Sequence, residues 1–319
     1  MAAAGGRGRS LNADTVAAPG TAAVPATAAA PIVGELLSRC QFPLGPTAAC
    51  AVSGGPDSLA LLVLARAAGL EVVAIHVDHG LRAGSGTEAE LVAAAATRFG
   101  ARFDSRRAEV EPGPNLEARA RRARYQVLPD DVLTGHTADD QAETVLLQLL
   151  RGGGLDALAG MRVEGRPLIG LRRAETAALC DALSLKPVTD PMNTDPRFVR
   201  NRVRAEVLPL LEDVASRDVV PILARAAGLA RDEALLLDRL AEAVDVTDAG
   251  QLRSVDRALA RRAVRRWLRA EHPPNAATVD RVLDVAAGRI RATEVGGGRR
   301  VARTAGRLRL EHARRGRRS

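Results

Sequence analysis

Six residues, Ser53-Gly54-Gly55-Pro56-Asp57-Ser58, constrain this chain more than any other stretch, because they stand where a strand hands over to a helix. Before them, Ala48 to Val52 is a short apolar run of strand length; after them, Leu59 to Ala68 is apolar all round, as in a helix packed on a sheet. Gly54 and Gly55 let backbone N–H groups turn inward with no Cβ in the way, and the new helix adds its free amides and positive dipole end. An anion such as a phosphate fits there. The Gly-Lys-Ser/Thr ending of the common nucleotide loop is absent, so no lysine neutralises a phosphate. Asp57 must then repel it or hold a cation against it, and Mg²⁺ is the cation that reconciles the two charges. The same six residues also fit a Gly-Pro turn in which Asp57 or Ser58 caps the helix.

The segment that follows, Glu71 to Val77, is a second apolar strand, and strand, helix, strand implies a parallel pair. An entry helix is predicted over 31–39 and strands over 48–52, 71–77, 101–105, 131–135 and 166–170, alternating with helices. This is the pattern of an α/β, doubly wound, mostly parallel sheet. Such sheets bind ligands outside the carboxyl ends of their strands, where Ser53–Ser58, His76–Arg82 and Gly135–Glu143 fall. Beyond Asp190 the chain turns helical, with helices predicted over 203–214 and 220–244. From Asp248 onward the pattern predicts two helices and a short hairpin, 295–301 with 308–310, closing a small α+β domain. The first thirty residues are rich in Ala, Gly, Thr and Pro without the Leu-rich centre of a secretory signal; they read as a disordered leader or a start upstream of the true one.

A second constellation lies in Thr134-Gly135-His136-Thr137-Ala138-Asp139-Asp140-Gln141-Ala142-Glu143, which follows a predicted strand and opens a helix. His136, Asp139, Asp140 and Glu143 share one helical face. An imidazole and three carboxylates there can hold a metal or position a proton acceptor. They can also be acids stabilising a helix N-terminus above a core of Val145, Leu146, Leu149 and Leu150, but the histidine and the convergence with Ser53–Ser58 favour function.

Composition narrows the partners. The net charge is +8 over 319 residues, and Lys186 is the only lysine among 46 basic residues, a bias that GC-rich coding explains as well as RNA binding does. From Arg299 to Ser319 the chain has nine arginines against one acid, Glu311; this tail reads either as a solvated end or as a nucleic-acid contact. Cys40, Cys50 and Cys180 form no CxxC pair, which argues against a zinc ribbon or thiol relay and makes a reducing cytoplasm the default. No apolar stretch suggests a membrane span.

The Ser53–Ser58 loop resembles that of the PP-loop ATP pyrophosphatases, the adenine nucleotide α-hydrolase-like enzymes that cut ATP between its α and β phosphates and pass AMP to a carbonyl oxygen. Within them the run Gly135 to Gly152 is similar to the tRNA(Ile)-lysidine synthetases. So are His76-Val77-Asp78-His79-Gly80-Leu81-Arg82, Glu117 to Tyr125, Arg166-Pro167-Leu168, Asp190-Pro191-Met192-Asn193 and Arg200-Asn201-Arg202-Val203-Arg204. Thr137 stands where the family often has a second histidine, and Ala157 replaces a frequent glycine.

The resemblance implies a leader over 1–30, a PP-loop ATP-binding catalytic domain over 31–215, a helical linker over 216–247 and a small tRNA-binding domain with a basic tail over 248–319. It implies a ligase that adenylates the C2 carbonyl of the wobble cytidine of tRNA(Ile) with a CAU anticodon and lets the ε-amine of L-lysine displace AMP. Ser53, Gly54, Gly55, Pro56, Asp57, Ser58 and His76 would bind ATP. Mg²⁺ would be held through Asp57 and Asp140, each expected at a crevice edge where removing it leaves the fold intact. Arg121 would face the adenylated intermediate or a tRNA phosphate, and Arg200, Arg202 and Arg204 would contact tRNA. Lysine has a reference pKa of about 10.4, so a base is needed; His136, Asp140 and Glu143 are candidates. A homodimer stays open. Rival readings are a PP-loop tRNA thiolase, which would need cysteine chemistry, and a non-catalytic nucleotide- or RNA-binding module.

Overall fold

The computed structural model describes residues 30–78, 80, 85–110, 113, 116–188, 195–269 and 274–312. The leader to residue 29, the His79 and Leu81–Arg82 part of the second motif, Asp190–Asn193 and Arg314–Arg318 lie outside the described residues. By internal packing the chain divides into two units, Met1–Glu143 with Met161–Val220, and Thr144–Gly160 with Pro221–Ser319.

In the first unit, α1 (Ala30–Leu37) leads to β1 (Thr47–Ala51), α2 (Pro56–Ala67), β2 (Glu71–Asp78), α3 (Ser85–Arg98), β3 (Arg102–Arg107) and α4 (Leu116–Val127). The strands form a parallel sheet in the order β1-β2-β3, with Thr47 opposite Glu71 and Val73 opposite Arg102. Leu133 bridges Cys50 on the other side of β1: its N–H donates to Ala49 O at 2.8 Å and its carbonyl accepts from Ala51 N at 2.9 Å. The sheet therefore reverses direction at β1, and such a reversal opens a crevice at the carboxyl end of that strand. Ser58 to Ala65 of α2 are buried on every side, which is why this helix shows no polar stripe.

The strand predicted over 131–135 reduces to that single bridge, and the one over 166–170 is a turn instead. Pro167 has no N–H to give a ladder, and Ile169 N–H and Leu171 N–H turn back on Arg166 O and Leu168 O. The apolar signal at Leu168 and Leu171 reports burial, since both are 0% exposed. After α5 (Ala138–Leu150) and the short α6 (Leu155–Leu158) come α7 (Arg173–Ala182), α8 (Val199–Arg202), a π-turn over Val203–Val207 and α9 (Leu208–Ala215). The helix predicted over 203–214 thus begins earlier and carries a wide turn, a feature that recurs at functional sites.

In the second unit, α10 (Val220–Glu242) buries a face of small residues that includes Ala227, Ala230, Ala234 and Ala241. Three helices follow where two were predicted: α11 (Ala249–Ser254), α12 (Arg257–Trp267) and α13 (Ala276–Ala287). Asp248 caps α11 by accepting from Gly250 N at 2.7 Å, and Asn275 caps α13 by accepting from Thr278 N at 2.8 Å. The predicted hairpin is a three-stranded antiparallel sheet, β4 (Ala292–Gly296), β5 (Arg299–Thr304) and β6 (Arg307–His312). Gly296, Gly297 and Gly298 have φ of 85°, 60° and 65° and make the first turn, so the strand boundary falls inside the predicted arm 295–301. Val264, Leu268, Val282, Val301 and Leu308 form this unit's core.

Candidate active site

The phosphate loop closes on itself through Ser58. Its Oγ accepts from Ser53 N at 3.1 Å and donates to Gly55 O at 2.9 Å, while Gly54 sits at φ 86°. A side chain on Gly54 would be strained. Pro56 opens α2, its missing N–H costing nothing at that position. Gly135 brings the second motif against the first. A Cβ there would fall 2.6 Å from Asp57 O, so only glycine lets these two backbones meet.

Asp57 and the acids of α5 are tied together by arginines. The Asp57 Oδ1 accepts from the Thr176 hydroxyl, and its Oδ2 lies 3.6 Å from Arg173 Nε. Asp140 divides its oxygens: Oδ2 accepts from Thr137 N at 2.9 Å as a helix cap, and Oδ1 accepts from Arg173 Nη2 and Arg200 Nη2, each at 3.1 Å. One carboxylate both caps α5 and faces the site. Glu143 is 0% exposed and accepts from Arg173 Nη1 at 3.1 Å, Arg200 Nε at 2.7 Å and Arg204 Nε at 2.7 Å. Asp139 holds the start of α7, accepting from Arg173 N at 2.8 Å and Arg172 Nε at 3.1 Å.

Burial pushes the Asp57 carboxyl up to about 6, against the Thr176 hydrogen bond that favours its charge. Burial works the same way on Asp140, but Arg173, Arg200 and the Thr137 amide outweigh it and hold that carboxyl below its ordinary value. The expectation that both carboxylates sit at an open edge is corrected for Asp140, which is 9% exposed and bonded through both oxygens.

His136 bonds Thr134 Oγ1 through Nδ1 at 2.8 Å, and burial lowers its pKa to about 4, with Arg166, Arg121 and Arg200 acting in the same direction. Its ordinary value is 6.5, so the unfolded chain takes up this proton first. Stability from the neutral ring is therefore intact above pH 6.5 and drains as pH falls towards 4. His136→Gln is expected to flatten that part of the acid limb in a urea-denaturation series, and an NMR titration with this ring protonating near 6.5 would contradict the assignment.

His76 is 2% exposed; its Nδ1 donates to Val52 O at 3.1 Å and its buried Nε2 has no partner among the described residues. Arg121 is exposed, its guanidinium stacked 5.2 Å from the Tyr125 ring. The structure thus brings together Asp57, Asp140, Glu143, Arg200 and Arg204. Arg202 faces solvent in a 2.7 Å pair with Glu206. Sequence reasoning missed Arg173 and Thr176. The signal was the Arg172-Arg173 pair opening a helix, where the positive dipole end repels cations and only facing carboxylates make them tolerable.

Burial pushes the thiols of Cys50 and Cys180 up to about 12 and that of Cys40 up to about 11. None is a thiolate at neutral pH, and replacing all three with Ala is expected to lower stability while sparing turnover. Loss of turnover in the folded variant would favour sulfur chemistry.

A phosphate loop at a sheet's reversal point, backed by charged groups from a second motif, defines the class of PP-loop nucleotide-using proteins, and the PP-loop domain family matches residues 40–211. The chain is 47% identical over 241 residues to a tRNA(Ile)-lysidine synthase of Nocardia farcinica, covering 70% of this chain and 76% of that one. It is 48% identical over 238 residues to the same enzyme of Mycolicibacterium paratuberculosis, covering 69% and 73%. It belongs to the tRNA(Ile)-lysidine synthase family. Among solved structures it is similar to the U34-tRNA thiolase NcsA from Methanococcus maripaludis, at 17% identity and a TM-score of 0.49 over 64% of this chain and 78% of that chain.

Proposed function

We propose that this protein is an ATP-dependent ligase that converts the wobble cytidine of a CAU-anticodon isoleucine tRNA to lysidine. The observation that carries the reading is the contact of the phosphate loop with the α5 motif at Gly135, in a chain of this family. A carbonyl oxygen leaves poorly, so C2–O is first adenylated: the oxygen attacks the α-phosphate of ATP and diphosphate departs into the Ser53–Ser58 loop, whose glycine backbone and helix end suit an anion. The nitrogen of lysine then attacks C2, and the C2–O bond breaks to release AMP.

Asp57 Oδ2 lies 3.6 Å from Arg173 Nε and Asp140 Oδ1 3.1 Å from its Nη2, so the two carboxylates flank one guanidinium. That fits Mg²⁺, which binds through one or two carboxylates and takes phosphate and water oxygens for the rest. When bound, it would offset charge on the phosphates. His76 Nε2, buried and without a partner among the described residues, is an acceptor available to the adenosine. The candidate bases stay His136, Asp140 and Glu143: guanidiniums engage the two carboxylates, and the Thr134 hydroxyl bonds the imidazole. Arg121, on the exposed face of α4, is assigned to phosphate or the adenylated intermediate.

For the tRNA, the second unit offers a groove of about 300 Å³ lined by Leu252, Val255 and Leu283 with Arg253, Arg257, Arg289 and Asp280, in which Arg257 is paired with Asp280 and Arg289 with Asp284. Such a surface suits backbone contact and shape recognition, since aromatic residues are only 2% of the chain. Among the described residues no helix is long and apolar enough to cross a membrane; a cytoplasmic site of action is part of the proposal. The test is incorporation of labelled lysine into unmodified isoleucine tRNA. Uptake that needs both ATP and the CAU anticodon is expected, and a protein that exchanges no pyrophosphate, or delivers sulfur, would sink the reading.

A further inference from the structure

Arg173 makes more contacts in the site than stapling α7 to α5 requires. Its Nε/Nη2 edge faces two carboxylates from different motifs at once, Asp57 Oδ2 at 3.6 Å and Asp140 Oδ1 at 3.1 Å, while Nη1 reaches Glu143 Oε1 at 3.1 Å. The two contacts on that edge are unequal. Asp140 receives a hydrogen bond, whereas 3.6 Å is beyond one, so Asp57 Oδ2 has a charge beside it and no donor among the described residues. Glu143 retains Arg200 and Arg204 if Arg173 leaves, and Asp140 retains Arg200 and its Thr137 cap. Asp57 alone depends on Arg173 for positive charge.

We propose that Arg173 is the resident counter-ion of this site, a positioning residue that holds the place between Asp57 and Asp140 until a divalent cation arrives with the nucleotide, and that guanidinium and cation exclude one another there. The inference rests on the proposed nucleotide chemistry. A nucleotide–cation complex carries net negative charge, so the released guanidinium, still anchored through its backbone N–H on Asp139, can turn to the phosphates that displaced it. Empty, the site is neutralised by Arg173; loaded, the same charge serves the phosphates. A purely structural arginine would do neither.

Competition makes a prediction opposite in sign to ordinary damage. In nucleotide-free protein, Arg173→Gln should bind Mn²⁺, followed by EPR, about tenfold or more tighter than wild type, because a unit charge beside the two carboxylates is gone. Adding Asp57→Asn should cancel the gain, and Arg173→Lys should show little of it. With ATP present, the order should reverse for nucleotide affinity, Arg173→Gln being the weaker. Unchanged or weaker Mn²⁺ binding in folded Arg173→Gln would overturn the proposal. Should that variant not fold, wild type decides it: Mg²⁺ with a non-hydrolysable ATP analogue must shift the Arg173 Nε–H resonance, assigned against Arg173→Lys, and an unmoved signal would end the idea. Neither readout uses tRNA or lysine, so a failure here is separate from a failure of the ligase reading.

Discussion

Asp57→Asn is expected to lower tRNA-dependent AMP formation by about a thousandfold, the scale of losing one preorganised charge at a reacting phosphate. The same change should leave the protein as stable as wild type, or more so, at neutral pH. Asp57 has its pKa raised from 3.8 to about 6, so the folded state holds the proton more tightly than the unfolded chain does. Stability from that preference is present below pH 3.8 and is lost as pH rises through 6, where the buried carboxylate must ionise. The asparagine avoids that step, a gain on the order of 1–3 kcal/mol above pH 6 and none in acid. Its Oδ1 can still accept from Thr176. AMP release and a denaturation series on one preparation test both halves. Near wild-type turnover would reduce Asp57 to a structural carboxylate between Thr176 and Arg173.

That opposition between stability and function explains which parts of the site could be read from sequence. The loop was legible because glycine and proline leave a local trace: Gly54 at φ 86° and Pro56 at the first helical position follow from residue type and order, whereas the closure through Ser58 does not. The α5 acids were legible as a helical face, but not that Asp140 places one oxygen on Thr137 as a cap and the other on Arg173 and Arg200. What failed was long-range. Arg173 lies 30 or more residues from each of its carboxylates, and no periodicity records a partner at that distance. The segment around Pro167 was misread because buried Leu168 and Leu171 look like strand residues whether or not their backbone finds a ladder. In β4, Thr293 and Glu294 hid a strand whose pairing with β5 is set by the glycine turn.

Glu143→Gln should be the most destabilising single change in the site. The carboxylate is 0% exposed and is the shared acceptor of Arg173, Arg200 and Arg204, which reach it from α7, α8 and the π-turn. Glutamine keeps the shape but removes the charge and points N–H groups at guanidiniums that already donate. Breaking a buried ion cluster from one side costs about 3–5 kcal/mol, because the remaining charges stay buried without compensation. That is a large part of the roughly 5–15 kcal/mol that holds a domain folded. The cost should depend on the partners left behind. Arg204→Met on the Glu143→Gln background should be less harmful than the sum of the single changes, with a coupling of about 1 kcal/mol or more, since one stranded cation is gone. Urea midpoints of the four proteins give the cycle. A Glu143→Gln shift below about 1 kcal/mol would mean that water already compensates these arginines, and the cluster would then be a solvated charge network in place of the buried keystone joining α5 to the π-turn.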